Sequence, residues 1–341
     1  MHKTTNAKHY TAHAIESIRK HAATLVKNGD KSSAADLLRI VEWLEQAVVF
    51  ALPDGGRLLD NMKPLSVNDT DILRLPYPVV ALEYHIGDVE RGDTLGSVKQ
   101  TIDAPRRIAL CIDFSADQAK QVCPVLAAKS DFADSVGHDG GILVIGIWEA
   151  NIEHLEGWFP AAVGAVISRK QDAMAKPTIP AGLGIDESDV TSVTENPVAF
   201  SMEPIVPLIS GVAMMQLGRE KAMAEAYADL IDELNAASSF IQAMACTNIV
   251  SEKVPATPKL NKKRIKNGKI PYSDYHVLKI RLSGSKTENN SGADHDRRTP
   301  REHLRRGHIR RLSNGRRTWV NPCIVAAGSE GKAHKSYRVA P

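Results

Sequence analysis

The residues of this sequence that are best suited to chemistry are cationic and lie near its carboxyl end. Three arginine pairs surround a Ser-Asn-Gly segment at 313–315. Guanidinium groups on a rigid frame contact phosphates, and each neutralised phosphate releases counterions. The sequence therefore predicts a nucleic-acid interface. Its expected members are Lys262, Lys263, Arg264, Lys266, Arg305, Arg306, Arg310, Arg311, Arg316, Arg317 and Trp319.

Aromatic residues accompany these cations and have two alternative roles. The candidates for stacking on unpaired bases, as aromatic side chains do in proteins that bind single strands, are Trp319, Tyr272, Tyr275 and Tyr337. The alternative is that they form the small core of the basic region. For Trp319 the core role is favoured, because few other large apolar residues occur near it.

Histidines in the same region suggest an enzymatic alternative, a metal-independent ribonuclease or toxin-like nuclease. Such an enzyme needs a base for the 2′-hydroxyl, an acid for the leaving oxygen and cations for the charged transition state. His303, His308 and Tyr337 are the candidate catalytic residues, and His276 and His334 are further candidates. No spacing in the sequence shows that any two of them converge. Non-enzymatic binding is therefore favoured, and the ribonuclease is the second hypothesis.

Metal and cofactor sites have little support in the sequence. It contains neither a Cys-x-x-Cys nor a His-Glu-x-x-His motif, and no glycine-rich loop follows a predicted strand at a phosphate-binding spacing. We therefore expect no metal and no cofactor. The alternative is that Glu83, Asp113 and Glu149, each in or at the end of a predicted strand, converge to hold Mg²⁺.

Charge divides the sequence into two parts. Residues 253–341 contain 22 Lys and Arg against 6 Asp and Glu, a net charge of +16, whereas the preceding residues contain 21 against 34, a net charge of −13. Such asymmetry is typical of proteins that bind polyanions. We predict an acidic α/β body at 1–250 and a basic, β-rich nucleic-acid-binding module at 259–341 with a flexible insert at 283–300. A third hypothesis is that the acidic body mimics nucleic acid and inhibits a host protein.

Hydrophobic periodicity predicts a mixed α/β (α+β) fold. An N-terminal helical hairpin is expected, followed by a small mixed sheet, a long helix and the basic module. Asn314-Gly315 between two β-compatible runs predicts a β-hairpin within 303–321. The expected helices are 10–26, 33–51, 117–128 and 214–245, the expected strands are 79–86, 107–114, 141–148, 161–168 and 275–282, and loops are expected at 176–207 and 248–258.

Composition limits the class of protein. Of the 341 residues, 43% are apolar and 24% are charged, which excludes a collagen, a coiled-coil rod and a wholly disordered chain. The polar start lacks the apolar run of a signal peptide, and the longest apolar stretch, at 142–148, is far shorter than the roughly 20 residues that span a bilayer. Four cysteines are too few for a disulfide framework. We expect a cytoplasmic protein with no membrane partner.

Part of the sequence resembles a known family. The resemblance to the C-terminal signature of uncharacterised phage and mobile-element proteins is carried by KLNKKRIKNGKIPYSDYHVL at 259–278, HLRRGHIRRLSNGRRTWVNPCIV at 303–325 and the terminal HKSYRV. The segment LRLPYPVVALEY at 73–84 resembles part of the body of that family. The resemblance covers roughly a quarter of the chain. The resemblance implies a mobile-element origin and no activity. Together with the charge asymmetry, it leads us to expect a phage-type accessory protein in the host cytoplasm, whose partner is RNA, DNA or a nucleic-acid-bound host complex.

Overall fold

Two helices begin the described part of the chain, as the apolar periodicity of this segment predicts. Helix α1 spans Tyr10–Lys27 and helix α2 spans Lys31–Gln46. Asp30 caps α2, because its carboxylate accepts a hydrogen bond from the Ser33 backbone N–H at 3.0 Å. This computed structural model describes residues 8–56, 58, 71–86, 104–129, 139–152, 155–169, 200–281, 303–305, 308–320 and 323–325.

The sequence pattern predicts that the second helix continues to residue 51, and this prediction is wrong. Val48–Ala51 forms strand β1, in which the last three residues are buried. Val49 packs in the cluster that contains α1 and α2, whereas Phe50 packs in a separate cluster on the other side. A strand directs successive side chains to opposite faces, and a helix does not.

Nine of the described strands form one mixed sheet, which confirms the predicted α/β class. The order along the sheet is β7-β6-β4-β3-β2-β1-β9-β8, and β5 pairs with β4. Strand β1 runs parallel to both of its neighbours, and the other pairs are antiparallel. The strands after β1 are β2 (Val79–His85), β3 (Arg106–Phe114), β4 (Gly141–Ile152), β5 (Leu155–Pro160), β6 (Val163–Ser168), β7 (Phe200–Pro204), β8 (Ile249–Val254) and β9 (Tyr275–Ile280).

Helices cover both faces of this sheet. The first face carries α1 and α2, against which strand residues such as Val49 and Leu110 pack. The second face carries a long helix, α6, whose Phe240 lies 4.7 Å from the Phe50 ring, measured between ring centroids. The helices after α2 are α3 (Ala119–Val122), α4 (Pro124–Ala127), α5 (Pro207–Leu217), α6 (Arg219–Met244) and α7 (Pro258–Lys266).

The helix expected at 214–245 is interrupted, and the one expected at 117–128 is replaced by short helical turns. Gly218 separates α5 from α6 with a φ of 79°, a conformation that L side chains rarely adopt. At 117–128, Pro124 begins a new helical turn instead of continuing the old one. Of the loop expected at 176–207, residues 200–204 form β7, and the part before residue 200 lies outside the described residues.

A buried ion pair fastens α6 to the second face. Nη1 of Arg107 on β3 donates to Glu233 Oε1 at 3.1 Å, and the Tyr84 hydroxyl donates to the same oxygen at 3.0 Å. The side chains of Arg107 and Glu233 are 2% and 0% exposed. Because neither charge can be solvated if the other is removed, this pair holds the helix in one position on the sheet.

The change in net charge predicts a linker at 248–258 and a separate module after it, but the structure joins the two parts. Residues 249–254 form β8, and β9 pairs with β1 of the body as well as with β8. Residues 275–280 therefore belong to the same sheet as the acidic body, and α7 is bonded to α1 through Arg264. The predicted flexible insert at 283–300 lies outside the described residues.

The predicted β-hairpin is confirmed. Strands β11 (His308–Arg311) and β12 (Arg317–Val320) are antiparallel and pair Ile309 with Trp319. The Asn-Gly turn lies between them, with Gly315 at a φ of 78°. Two further strands, β10 (His303–Arg305) and β13 (Cys323–Val325), form a second antiparallel pair.

Candidate nucleic-acid interface

Helix α7 carries a row of lysines on its outer side. Lys259, Lys262, Lys263 and Lys266 are spaced at i, i+3, i+4 and i+7, and all four are exposed. A helix turns by about 100° per residue, so these positions share one face. Within the described part of the chain, none of their ammonium groups pairs with a carboxylate. We call these four residues the lysine surface.

Arg264 lies on the opposite side of α7 and anchors the helix. Its guanidinium donates from Nη2 to Glu16 Oε1 of α1 at 2.6 Å, from Nε to the Ile270 carbonyl at 2.6 Å and from Nη1 to the Tyr272 hydroxyl at 3.1 Å. The residue is only 8% exposed. The sequence predicts that Arg264 contacts nucleic acid, whereas the structure gives it an internal role, because helical spacing directs it inwards when the lysines face outwards.

The segment that follows α7 adds further contacts to this anchor. Asn261 and Tyr272 exchange two hydrogen bonds: the Asn261 amide nitrogen donates to the Tyr272 carbonyl at 2.9 Å, and the Tyr272 backbone N–H donates to Asn261 Oδ1 at 2.8 Å. The Arg264 guanidinium also lies over the Tyr272 ring, 4.1 Å from its centroid. Helix α7 is thus bonded to α1 through Arg264 and to its own following loop through Asn261. These contacts fix the position of the lysine surface.

His13 of α1 and His9, which directly precedes this helix, meet Tyr272 on the side of α7 that carries Arg264. The His9 ring stacks on the Tyr272 ring with centroids 3.9 Å apart, and His13 Nε2 lies 3.4 Å from the Tyr272 hydroxyl. His9 has a φ of 54°, a left-handed conformation that is uncommon for a residue other than glycine. Sequence reasoning did not find these residues, and the only signal was their i, i+4 spacing at the start of a predicted helix.

Burial keeps both of these histidines neutral. The pKa of His9 is lowered first by burial and then by the charges of His13 and Arg264. Burial also lowers the pKa of His13, and Arg264 and Lys269 add to that effect, whereas Glu16 and Glu149 oppose it. At neutral pH each imidazole therefore has a nitrogen free of a proton, able to accept one.

A second group of cations lies on the hairpin. Arg310, Arg311 and Arg316 are exposed, and Arg310 lies on the strand side opposite to Ile309 and Trp319. These three residues are called the hairpin surface. His303 and Arg305 lie on β10 and His308 lies on β11, whereas Arg306 and Tyr337 lie outside the described residues.

Two other predicted contact residues of the hairpin are buried. Arg317 is 6% exposed, and its Nη2 pairs with Asp71 at 3.1 Å. Trp319 is 7% exposed and packs against Cys246 and Ile249, as the favoured core role predicts, and its ring is covered by these neighbours. Asn248 hydrogen-bonds the Trp319 backbone on both sides, donating to its carbonyl and accepting from its N–H, each at 2.8 Å. Both side chains attach the hairpin to the rest of the fold.

The three acidic residues considered for magnesium do not converge. Glu83 is buried and accepts a hydrogen bond from the Thr11 backbone N–H at 2.8 Å, which caps α1. On β3, Asp113 lies five residues beyond Ile108, the residue that pairs with Glu83, and it is bonded to Arg169. Glu149 forms a salt bridge with Arg106 at 2.7 Å. Among the described residues, no group of three His, Cys, Asp or Glu side chains is placed to hold a metal ion.

His276, a further candidate for catalysis, also has a local partner. Its Nδ1 lies 2.7 Å from the Ser251 hydroxyl on the neighbouring strand. The Phe50 ring lies 5.1 Å away, measured between centroids. His276 therefore lies on the second face of the sheet, away from His9 and His13, which lie with α1 on the first face.

Comparison with known proteins adds no assignment to this geometry. No family model, no curated protein and no solved structure matches the chain. Within the part of the chain that the structure describes, no helix combines the length and the apolar character needed to cross a bilayer. A functional conclusion for this protein consequently depends on the residues themselves.

Proposed function

We propose that this protein binds nucleic acid through the phosphate backbone, with the lysine surface as its main contact. The observation that supports the proposal is the division of α7 into two sides: four exposed lysines face outwards, and the only arginine of the helix is buried against α1 as an anchor. A flexible cationic tail would have no such anchor. A fixed array of charges loses less conformational entropy when it binds a rigid polyanion.

The dimensions of the lysine surface suit a nucleic-acid backbone. From Lys259 to Lys266 the helix rises by about 10 Å, since each residue contributes about 1.5 Å. A duplex presents one phosphate charge per roughly 1.7 Å of its axis, so about six phosphates lie within that length. Four lysine contacts correspond to a salt slope of about −3.6, or a roughly 150-fold loss of affinity between about 50 and 200 mM salt.

Contacts of this kind do not distinguish sequences. Lysine ammonium groups are point charges, without the planar fork by which arginine reads a guanine. The Tyr272 ring, which lies against Arg264 of α7, is already engaged by His9 and Arg264. The proposal is therefore a sequence-independent binder of nucleic acid.

The test is a titration of the full-length chain with a labelled DNA duplex of mixed sequence, followed by fluorescence anisotropy. Lys262→Glu with Lys266→Glu is expected to weaken binding at least tenfold and to reduce the salt slope by about two. The matched control is Lys27→Glu with Lys31→Glu, which makes the same charge change at exposed positions in another part of the fold. Equal losses in the two variants, or no binding by the wild type at low salt, would refute the proposal.

A second candidate function, metal-independent ribonuclease, is supported by one observation: His9, His13 and Tyr272 meet on the side of α7 that carries the Arg264 guanidinium. In such an enzyme a neutral imidazole takes the 2′-hydroxyl proton as the 2′-oxygen attacks phosphorus, the Tyr272 hydroxyl gives a proton to the departing 5′-oxygen, and cations stabilise the charged transition state. The experiment is incubation with mixed RNA in EDTA. Cleavage that His13→Gln abolishes and His21→Gln preserves would establish the enzyme, and an absence of cleavage by the wild type would exclude it.

A further inference from the structure

The two basic surfaces lie on opposite faces of the sheet. The lysine surface belongs to α7, which is bonded to Glu16 of α1 through Arg264 and therefore lies with the helices of the first face. The loop after α7 also contacts this face, because Ile270 packs against the cluster that contains α1. The hairpin is attached elsewhere. Trp319 packs against Ala243 and Cys246 at the end of α6, the helix of the second face.

The two surfaces are also at opposite ends of β9. The anchor of α7 includes Tyr272, shortly before β9 begins, whereas the hairpin packs against Leu278 and Ile280, where β9 ends. Six residues of strand span roughly 16 Å between their first and last Cα atoms. The sheet and its helices add to that separation, since layers of secondary structure lie about 10 Å apart.

The lysines of α7 and Arg310 of the hairpin face away from the sheet. The lysines lie opposite the buried Arg264, and Arg310 lies opposite the inward-facing Ile309 and Trp319. A straight duplex that contacts the lysine surface on the first face cannot at the same time contact Arg310 on the second. Duplex DNA resists bending over such short lengths, because its persistence length is about 150 base pairs.

We propose that each chain holds two nucleic-acid segments at once, one on the lysine surface and one on the hairpin surface. This inference rests on the proposed function and extends it from binding to bridging. The fold supports bridging because the two surfaces are attached to one sheet, so the bound segments are held at a set distance from each other. The chain then joins two duplexes, or two distant parts of one molecule.

The test captures one duplex by means of another. A biotinylated DNA duplex is fixed to beads, the full-length chain is added at low salt, and retention of a second, fluorescent duplex is measured. The wild type and the Lys27→Glu with Lys31→Glu control are expected to retain the second duplex. Lys262→Glu with Lys266→Glu, and separately Arg310→Glu with Arg316→Glu, are each expected to reduce retention at least tenfold. Each variant still binds a single duplex, because one surface remains.

Other results would overturn the inference. Retention that persists in both surface variants means that self-association of the chain joins the duplexes, which light scattering of the free protein would show. A wild type that binds one duplex but retains no second one means that a single segment wraps around the edge of the sheet. Failure of the proposed function itself is distinct, since the wild type then binds no duplex in the anisotropy titration. The milder Lys262→Gln with Lys266→Gln variant guards against loss of folding, and it is expected to act in the same direction.

Discussion

Replacement of Arg264 by methionine tests whether the lysine surface depends on its anchor. The substitution removes three hydrogen bonds and the contact with the Tyr272 ring, and it leaves Glu16 without its charged partner. A fully buried pair broken in this way costs about 3–5 kcal/mol. The Glu16 side chain is 28% exposed, so water solvates part of its charge and reduces the cost. We expect local unfolding of α7 to become easier by about 2–3 kcal/mol, within the range for hydrogen bonds to charged groups.

Native-state hydrogen exchange measures this local effect directly. A change of 2–3 kcal/mol corresponds to about 30- to 150-fold faster exchange of the α7 amides, since about 1.4 kcal/mol is a factor of ten. The matched control is Arg310→Met on the exposed side of the hairpin, which is expected to leave α7 unchanged. Exchange in Arg264→Met within about threefold of the wild type would refute the anchor. A reduced salt slope without faster exchange would instead restore Arg264 as a direct phosphate contact.

Three further predictions concern titration, packing and reactivity. The pKa values of His9 and His13 lie below 6.5, so the stability that their neutral forms contribute is lost as pH falls from about 6.5 through the folded-state values. The free energy of opening of the α7 amides, obtained from exchange rates corrected for the intrinsic rate at each pH, should fall between about pH 7.5 and 5.5, and less so in His13→Gln. Arg107→Met should cost about 3–5 kcal/mol in a urea titration, because Glu233 is left buried without a charged partner and keeps only the Tyr84 hydroxyl, and an unchanged midpoint would contradict this. Burial raises the pKa of the Cys123 thiol to about 12, so iodoacetamide should modify it slowly at about pH 8 and rapidly in urea.

Local sequence patterns correctly predicted most of the helices and strands. The periodicity of Ile15, Ile18 and Ala22 identifies α1 because those residues form its buried stripe. The Asn314-Gly315 pair identifies the hairpin because its turn needs residues that tolerate positive φ. Strand β1 was missed, since a four-residue strand after a long helix continues the apolar run without a break.

Charge composition predicted an interface but not its members. A sequence shows that Arg264 and Lys266 are both cationic, and only packing shows that the first is buried and the second exposed. The same holds for Arg316 and Arg317, which are neighbours in the chain and face different surroundings. The periodicity of a helix or strand divides such residues into two faces, but it does not show which face packs against the rest of the protein and which is exposed to solvent.

The sequence by itself determined the α/β class, most of the helices and strands, and the cationic character of the C-terminal region. These properties depend on residue type and on spacing over a few positions, which any conformation of the chain retains. Only the tertiary structure placed β9 between β1 and β8, joined His9 to Tyr272, and put the two basic surfaces on opposite faces of one sheet. Those arrangements depend on contacts between residues far apart in the chain, such as Glu16 and Arg264, and no local preference specifies which distant partners meet.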